Sequence, residues 1–280
     1  MTYFFDGKMA ASLRKLRLRY KAGILRRRRV LPTLASILVS PDKNNLFYTS
    51  LKEKFANDIG CQLVVFEFGE EATKEDIISA IDNLNSRKDI HGIMIQLPLP
   101  KRFSILDREE LIGRIIERKD VDGLKEKSLY VAPVVQAVIY AIDEAKKMDF
   151  NIVRPSAKIV VVGASGFEGR KIVEALNNLS YQVIEVDREI NNLAEITREA
   201  DILISVTGNP GLIKPDYVKE GAVLIDLGYP KGDIEKSAYQ KASFVSPVPG
   251  GVGPMTISFL MENLIKAARS QLYLDKLSLN

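Results

Sequence analysis

Short apolar runs that stop on glycine, proline or an acid, with helical patterns between them, constrain this chain more than any other feature. In the first half, Pro32-Thr-Leu-Ala-Ser-Ile-Leu-Val39, Cys61 to Phe68 and Gly92-Ile-Met-Ile-Gln-Leu-Pro-Leu-Pro100 read as strands. Helical patterns over Leu46 to Ile59, Thr73 to Asn85 and Ser104 to Glu117 alternate with them, and Thr73 with Asp76 reads as a capping-box start. Met9 to Leu25 reads as an earlier helix, with Leu13, Leu16, Tyr20 and Ile24 on one face. Strands buried on both faces lose period-two alternation, and strand–helix alternation demands a mostly parallel sheet. A helix over Pro133 to Lys147 and a linker at Arg154-Pro-Ser156 lead to a second series. It opens on Lys158-Ile-Val-Val-Val-Gly163, and further strands are expected at Tyr181 to Val186, Asp201 to Val206 and Ala222 to Gly228. Helices to Leu179 and over Leu193 to Ala200 separate the first three, giving a Rossmann-like unit of about 100 residues.

Length and composition exclude several classes. A chain of 280 residues is long for one domain. No apolar run approaches the roughly 18–20 residues of a membrane span, so no membrane partner is expected. The first 30 residues hold ten Lys/Arg and one Asp without an apolar core, so no secretory signal is expected, and Asp6 argues against a mitochondrial presequence. One cysteine, Cys61, permits no internal disulfide, which fits a cytoplasmic location. His91 is the only histidine, so a transition-metal site is not expected and acid–base chemistry falls to Lys, Tyr, Asp or Glu. A net charge of +4 implies no nucleic-acid partner. Arg26-Arg-Arg-Arg29 reads either as a solvated helix end or as a patch for an acidic substrate tail or polyanion.

Chemistry-bearing residues cluster at the ends of the expected strands. Ser246-Pro-Val-Pro-Gly-Gly-Val-Gly-Pro-Met-Thr256 follows a short strand at Ser243 to Ser246 and precedes a helix from about Met255. Its prolines fix φ and its glycines open positive φ, so it is a shaped loop, either a rigid crossover or a ligand contact. Gly163 and Gly169 flank a strand–helix turn where a pyrophosphate would meet a helix N-terminus, with Ser165 adding a hydroxyl. The spacing is not G-x-G-x-x-G, and a plain tight strand–helix turn is the alternative. At the end of the next strand, Asp187 would suit a ribose hydroxyl and Arg188 a 2′-phosphate, which leaves both dinucleotides open. Tyr48 and Lys52 are four apart on one helical face, a pairing that is usually only surface but lets a desolvated lysine act as acid or base. Gln96 and the turn carboxylate Asp122 stand at loop positions that suit either turn polarity or a ligand.

Taken together, Asp6-Gly7-Lys8, Tyr48-x-x-x-Lys52, Gly92 to Pro100, Lys119-Asp-Val-Asp-Gly123, Gly163-Ala-Ser165 with Gly169, Asn192-Leu-Ala-Glu-Ile, Ala200-Asp-Ile-Leu and Pro247 to Thr256 resemble the bifunctional methylenetetrahydrofolate dehydrogenase/methenyltetrahydrofolate cyclohydrolase family, in order and over almost the whole chain. The resemblance implies an α/β fold: an N-terminal three-layer α/β catalytic domain over 1–146, completed by a C-terminal helix over 256–280, and a Rossmann-like dinucleotide-binding domain over 147–255, with a cleft between them. It implies tetrahydrofolate derivatives as substrates, NADP as cofactor with NAD as the alternative, and a homodimer. Lys52 would be the acid–base group of the hydrolysis, Gln96 would tune it, Tyr48 would stack on the folate and Asp122 would anchor the pterin. Pro249, Gly250 and Gly251 would contact substrate. Gly163, Ala164, Ser165, Gly169, Arg188, Thr207, Gly208, Tyr229 and Thr256 would hold the cofactor. Three departures stand out. Ala164 replaces an Arg common in the family, and Arg188 is the remaining cation nearby. A Pro-Cys-Thr-Pro-x-Gly stretch before the Pro133 helix is missing, which leaves a dehydrogenase with weak or absent cyclohydrolase activity, possibly NAD-dependent, as the alternative function. Gly232-Asp233 survives of a longer Gly-Asp segment.

Overall fold

The computed structural model describes residues 2–148 and 156–277; of the expected linker, only Ser156 falls among the described residues. In chain order the elements begin β1 (Tyr3–Phe4), α1 (Gly7–Arg27), β2 (Thr33–Val39), α2 (Lys43–Ile59), β3 (Gln62–Phe68), α3 (Lys74–Ser86), β4 (Gly92–Ile95), α4 (Ile105–Arg114) and α5 (Pro133–Met148). They continue as β5 (Lys158–Val162), α6 (Phe167–Asn178), β6 (Gln182–Val186), α7 (Leu193–Thr197), β7 (Ile202–Ser205), β8 (Val223–Asp226), β9 (Phe244–Ser246) and α8 (Val252–Leu277). Compactness divides the chain into two units: Met1–Ala11 with Val134–Thr256, and Ser12–Pro133 with Ile257–Asn280.

The first of these is built on a six-stranded sheet of order β1-β9-β8-β7-β5-β6, parallel throughout. β7 and β8 are buried along their whole length and β5 at all but Lys158, which is why they read as apolar runs with a polar residue only at one end. Each fully buried Val, Leu or Ile there contributes about 1.5–3 kcal/mol. A two-residue strand, β1, has no sequence signature, and the reading above omits it. It adds an edge, with Tyr3 opposite Phe244 and Phe4 opposite Val245. Phe5 then stacks on Phe244 and packs on Tyr140 of α5, with centroids 6.1 and 6.0 Å away. These contacts explain why residues 1–11 and 134–146 pack in this unit, although the sequence reading places them in the N-terminal domain.

The other unit carries a three-stranded parallel sheet, β3-β2-β4, with β2 wholly buried at its centre. Thr73 and Asp76 form the expected capping box at the start of α3, and Ser104 and Asp107 form a second one on α4, which ends three residues short of Glu117. α2 starts at Lys43 rather than Leu46, because the Asp42 side chain accepts from Asn45 N and caps it. The expected face of α1 requires correction. Leu13, Leu16 and Tyr20 are 65, 72 and 68% exposed, and the buried stripe is Ala11, Leu18, Ala22 and Leu25. Both stripes have helical period. The choice between them falls to the cations beside the small residues: Arg14 and Lys21 pair with Glu262 of α8, Lys15 with Asp58, and Arg14 lies 3.9 Å from the Phe259 ring centroid.

Candidate functional site

In the short-sheet unit α2 brings Tyr48 and Lys52 to one face, and β4 ends where Gln96 begins. Lys52 is 5% exposed. Its Nζ donates to Gln96 Oε1 at 2.6 Å, touches Met94 Sδ at 3.8 Å and lies 5.3 Å from the Tyr48 ring centroid. The Gln96 amide is held in that sense because its Nε2 donates to Leu97 O at 2.9 Å, while its backbone N–H continues the sheet onto Ile37 O. Burial strips water from the ammonium and lowers the Lys52 pKa to about 8; the negative charge of Asp122 opposes this in part. Tyr48, Met94, Gln96 and Asp122, from three stretches of sequence, thus act on one group, Lys52, a base poised to exchange a proton near neutral pH.

The one histidine and the one cysteine are spent on structure. His91 is buried and accepts from Thr33 N through Nδ1. Cys61 is buried, and its thiol is pushed up to about 12 by burial, which makes it an inert core residue. Among the described residues no group of three or more His, Cys, Asp or Glu is arranged to hold a metal ion. Arg26 to Arg29 end α1 and its following turn, with Val30 N closing back on Leu25 O.

The long-sheet unit holds the expected dinucleotide residues. Gly163 has φ +88°, and a Cβ there would sit 2.8 Å from Val206 O. A Cβ on Gly169 would run into Gly163 O, so α6 can start against the turn only as glycine. Gly166 caps α6 without a side-chain hydrogen bond, and a glycine-capped helix start suits an anion. That cradle suits a pyrophosphate. Ala164 is buried, so it could serve only through its backbone, and Asp187 Oδ1 accepts from Ser165 N at 3.1 Å, tying the turn to the end of β6. Arg188 is exposed and pairs with Glu189 at 2.6 Å. Tyr229 is 42% exposed.

Two carboxylates that sequence reasoning did not assign hold the second half of this site. Asp233 Oδ2 accepts from Thr207 N at 2.7 Å and from Ser205 Oγ at 3.0 Å, which fixes the Thr207-Gly208 turn. Asp226 accepts from the backbone N–H groups of Gly228, Asp233 and Ile234. Both are fully buried, and burial raises the Asp226 pKa to about 6 despite those bonds. The surviving Gly232-Asp233 pair was the available signal; Asp226, at the end of a buried strand, carried none.

The proline-glycine loop is shaped by close backbone approach. Gly7 N donates to Gly250 O at 2.9 Å, and a Cβ on Gly7 would collide with Gly251 O. Gly250 has φ +109°, Val248-Pro249 is cis, and Ser246 Oγ accepts from Val252 N at 3.1 Å, capping α8 three residues earlier than Met255. Thr256 stands in the second turn of α8, its hydroxyl donating to Val252 O. The motifs around Gly7 and Gly250 are therefore one packed contact within this unit, which spacing alone does not reveal.

The geometry has close counterparts. A bifunctional protein FolD from Lactobacillus acidophilus is 32% identical over 286 residues, covering 97% of this chain and 99% of the relative. The crystal structure of the bifunctional FolD methylenetetrahydrofolate dehydrogenase/cyclohydrolase from Campylobacter jejuni aligns with TM-score 0.87 at 30% identity, over 96% of this chain and 99% of that one. The Trypanosoma brucei dehydrogenase-cyclohydrolase, complexed with NADP and an inhibitor, aligns with TM-score 0.86 at 27% identity, over 97 and 98% of the chains. Residues 5–122 match the catalytic domain, and 135–272 the NAD(P)-binding domain, of tetrahydrofolate dehydrogenase/cyclohydrolase. With the Lys52 constellation in one unit and the glycine cradle in the other, the chain belongs to the tetrahydrofolate dehydrogenase/cyclohydrolase family.

Proposed function

We propose that the chain oxidises 5,10-methylenetetrahydrofolate to the 5,10-methenyl form with NADP and then hydrolyses that product to 10-formyltetrahydrofolate. The observation that carries the reading is Lys52, buried on Gln96 with its pKa lowered to about 8, in a chain whose one histidine is tied into the backbone. When bound, NADP supplies the hydride acceptor, and the reacting carbon needs only positioning and exclusion of water. Gly163, Ser165, Gly169, Arg188, Thr207 and Gly208 would hold it, with Ala164 contributing backbone only.

Hydrolysis demands more of the protein. Water attacks the cationic methenyl carbon, and a proton must leave as the C–O bond forms. Neutral Lys52 takes that proton. The C–N5 bond then breaks as Lys52 returns the proton to N5 and the hydroxyl proton passes to solvent, which leaves a neutral formyl group on N10. Gln96 Oε1 steers the Lys52 nitrogen throughout, the Tyr48 ring offers a stacking surface, and Asp122 binds the pterin N–H groups and moderates the lysine. Pro249, Gly250 and Gly251 would contact the substrate, and Tyr229 and Thr256 the nicotinamide half. In this reading residues 1–146 and 256–280 bind folate and 147–255 bind the cofactor. A homodimer and a cytoplasmic location complete it, and the former is checked by sedimentation.

The test is oxidation of methylenetetrahydrofolate with NADP and NAD in parallel, followed by the absorbance of reduced nicotinamide and of the methenyl product. NADP reduction with passage to formyltetrahydrofolate is expected. A folded, folate-binding protein that reduces neither nucleotide overturns the proposal.

A further inference from the structure

We propose that Asn263, on α8, is a positioning residue for the hydrolytic site: its amide clamps both ends of the loop that carries Asp122 and so fixes the backbone from which that carboxylate projects. The inference rests on the proposed role of Lys52 and deepens it. Asn263 is 1% exposed, and its Nδ2 donates to Val121 O at 2.9 Å and to Val131 O at 3.0 Å. An amide nitrogen has two hydrogens, and here one goes to each end of a single loop. Residues 121–131 contain no helix or strand, so their shape depends on such ties.

Neighbouring ties brace the same loop and its entry. Val121 packs where a Cβ on Gly92 would be, 2.6 Å from such an atom. Gly123 has φ +62° and lies so close to the return of the loop that a Cβ would sit 2.7 Å from Tyr130 O. Asp120 accepts from Leu124 N at 2.9 Å and Lys125 N at 3.1 Å. Lys119 is buried and donates to the carbonyls of Leu84, Asn85 and Arg87 at 2.7–2.8 Å, capping the end of α3 and anchoring the loop's entry. Asp122 lies between Val121 and Gly123, and its charge acts on Lys52. Among the described residues, the side chains in contact with Lys52 include Tyr48, on its own helix, and the uncharged Met94 and Gln96 from β4 and its end. Burial sets the lysine and the charge of Asp122 moderates it, and Asn263 is a side chain that fixes Asp122's backbone from both ends of its loop.

The experiment compares Asn263→Leu, Asn263→Ser and Asp122→Asn with a core control, Ile81→Val on α3. Each is assayed for the pH profile of methenyltetrahydrofolate hydrolysis, for folate KM and for urea stability. Removing or displacing a negative charge lets the Lys52 pKa fall further. The ascending limb of the profile should move to lower pH by about half a unit or more in both Asn263→Leu and Asp122→Asn. kcat/KM should fall roughly tenfold in Asn263→Leu through the misplaced carboxylate. Asn263→Ser keeps one donor, should fold more readily and should show a smaller shift in the same direction. The double variant Asn263→Leu/Asp122→Asn should shift no further than Asp122→Asn alone. If the Asn263 variants lose stability as Ile81→Val does but keep the wild-type limb and KM, Asn263 is structural only and the proposal fails. If Asp122→Asn leaves the limb in place, the Lys52–Asp122 coupling beneath the proposal fails instead, and the clamp has nothing to position.

Discussion

Replacing Lys52 with methionine should make the protein more stable and leave it unable to hydrolyse its substrate. Methionine has nearly the same length and no charge, so it fills the same buried space. In the wild type, burial moves the lysine pKa from 10.5 to about 8. A shift of that size corresponds to about 3 kcal/mol charged against the folded state while the ammonium persists. The bond to Gln96 Oε1 returns about 1 kcal/mol, and Gln96 is only half-buried, so it finds water when the partner is gone. Lys52→Met should therefore be about 2 kcal/mol more stable at pH 7. The sign follows from linkage. The unfolded chain holds the Lys52 proton up to 10.5 and the folded chain only to about 8, so wild-type stability rises with pH across that window. The advantage of the variant should shrink through it and vanish above it. Urea unfolding of both proteins at neutral pH and across that window reads the difference. A variant less stable at pH 7, or an advantage that does not change with pH, would refute the burial argument.

Three further outcomes follow from the same geometry. Gln96→Glu would set a carboxylate within hydrogen-bond reach of Lys52 Nζ, raise its pKa, move the ascending limb of hydrolysis to higher pH and cut the neutral rate roughly tenfold; an unmoved limb would exclude the contact. Asp226, raised from 3.8 to about 6, favours its protonated form, so its contribution to stability is lost as pH climbs through that range; Asp226→Asn should flatten this slope, worth about 3 kcal/mol, in urea unfolding. Arg188→Ala should raise KM for NADP about tenfold and leave NAD nearly unchanged, whereas equal changes for both would remove Arg188 from the 2′-phosphate site.

Local chemistry was legible in the sequence wherever a few neighbouring residues decide the outcome. Thr73 and Asp76 announce the start of α3 because both capping bonds lie within four residues. The buried strands announce themselves because burial on both faces leaves them apolar except at one end. α1 misled because it carries two apolar stripes of the same period, and only the distant Glu262 and Asp58 select between them. The same limit applies to the site. Spacing puts Tyr48 and Lys52 on one face, but Gln96 joins them from 44 residues away. Asp226 and Asn263 escaped notice, and Asp233 and Lys119 stood in quoted motifs without a role, because a polar residue inside an apolar element or turn reads as surface until its buried partners are known. Here each one satisfies backbone groups that would otherwise be orphaned.

The most direct test of the account is the rate of methenyltetrahydrofolate hydrolysis by Lys52→Met at matched folate occupancy. Loss of at least about a hundredfold, with folate still bound, is the predicted result. Hydrolysis at the wild-type rate would contradict the assignment of Lys52, and with it the mechanism built on that residue.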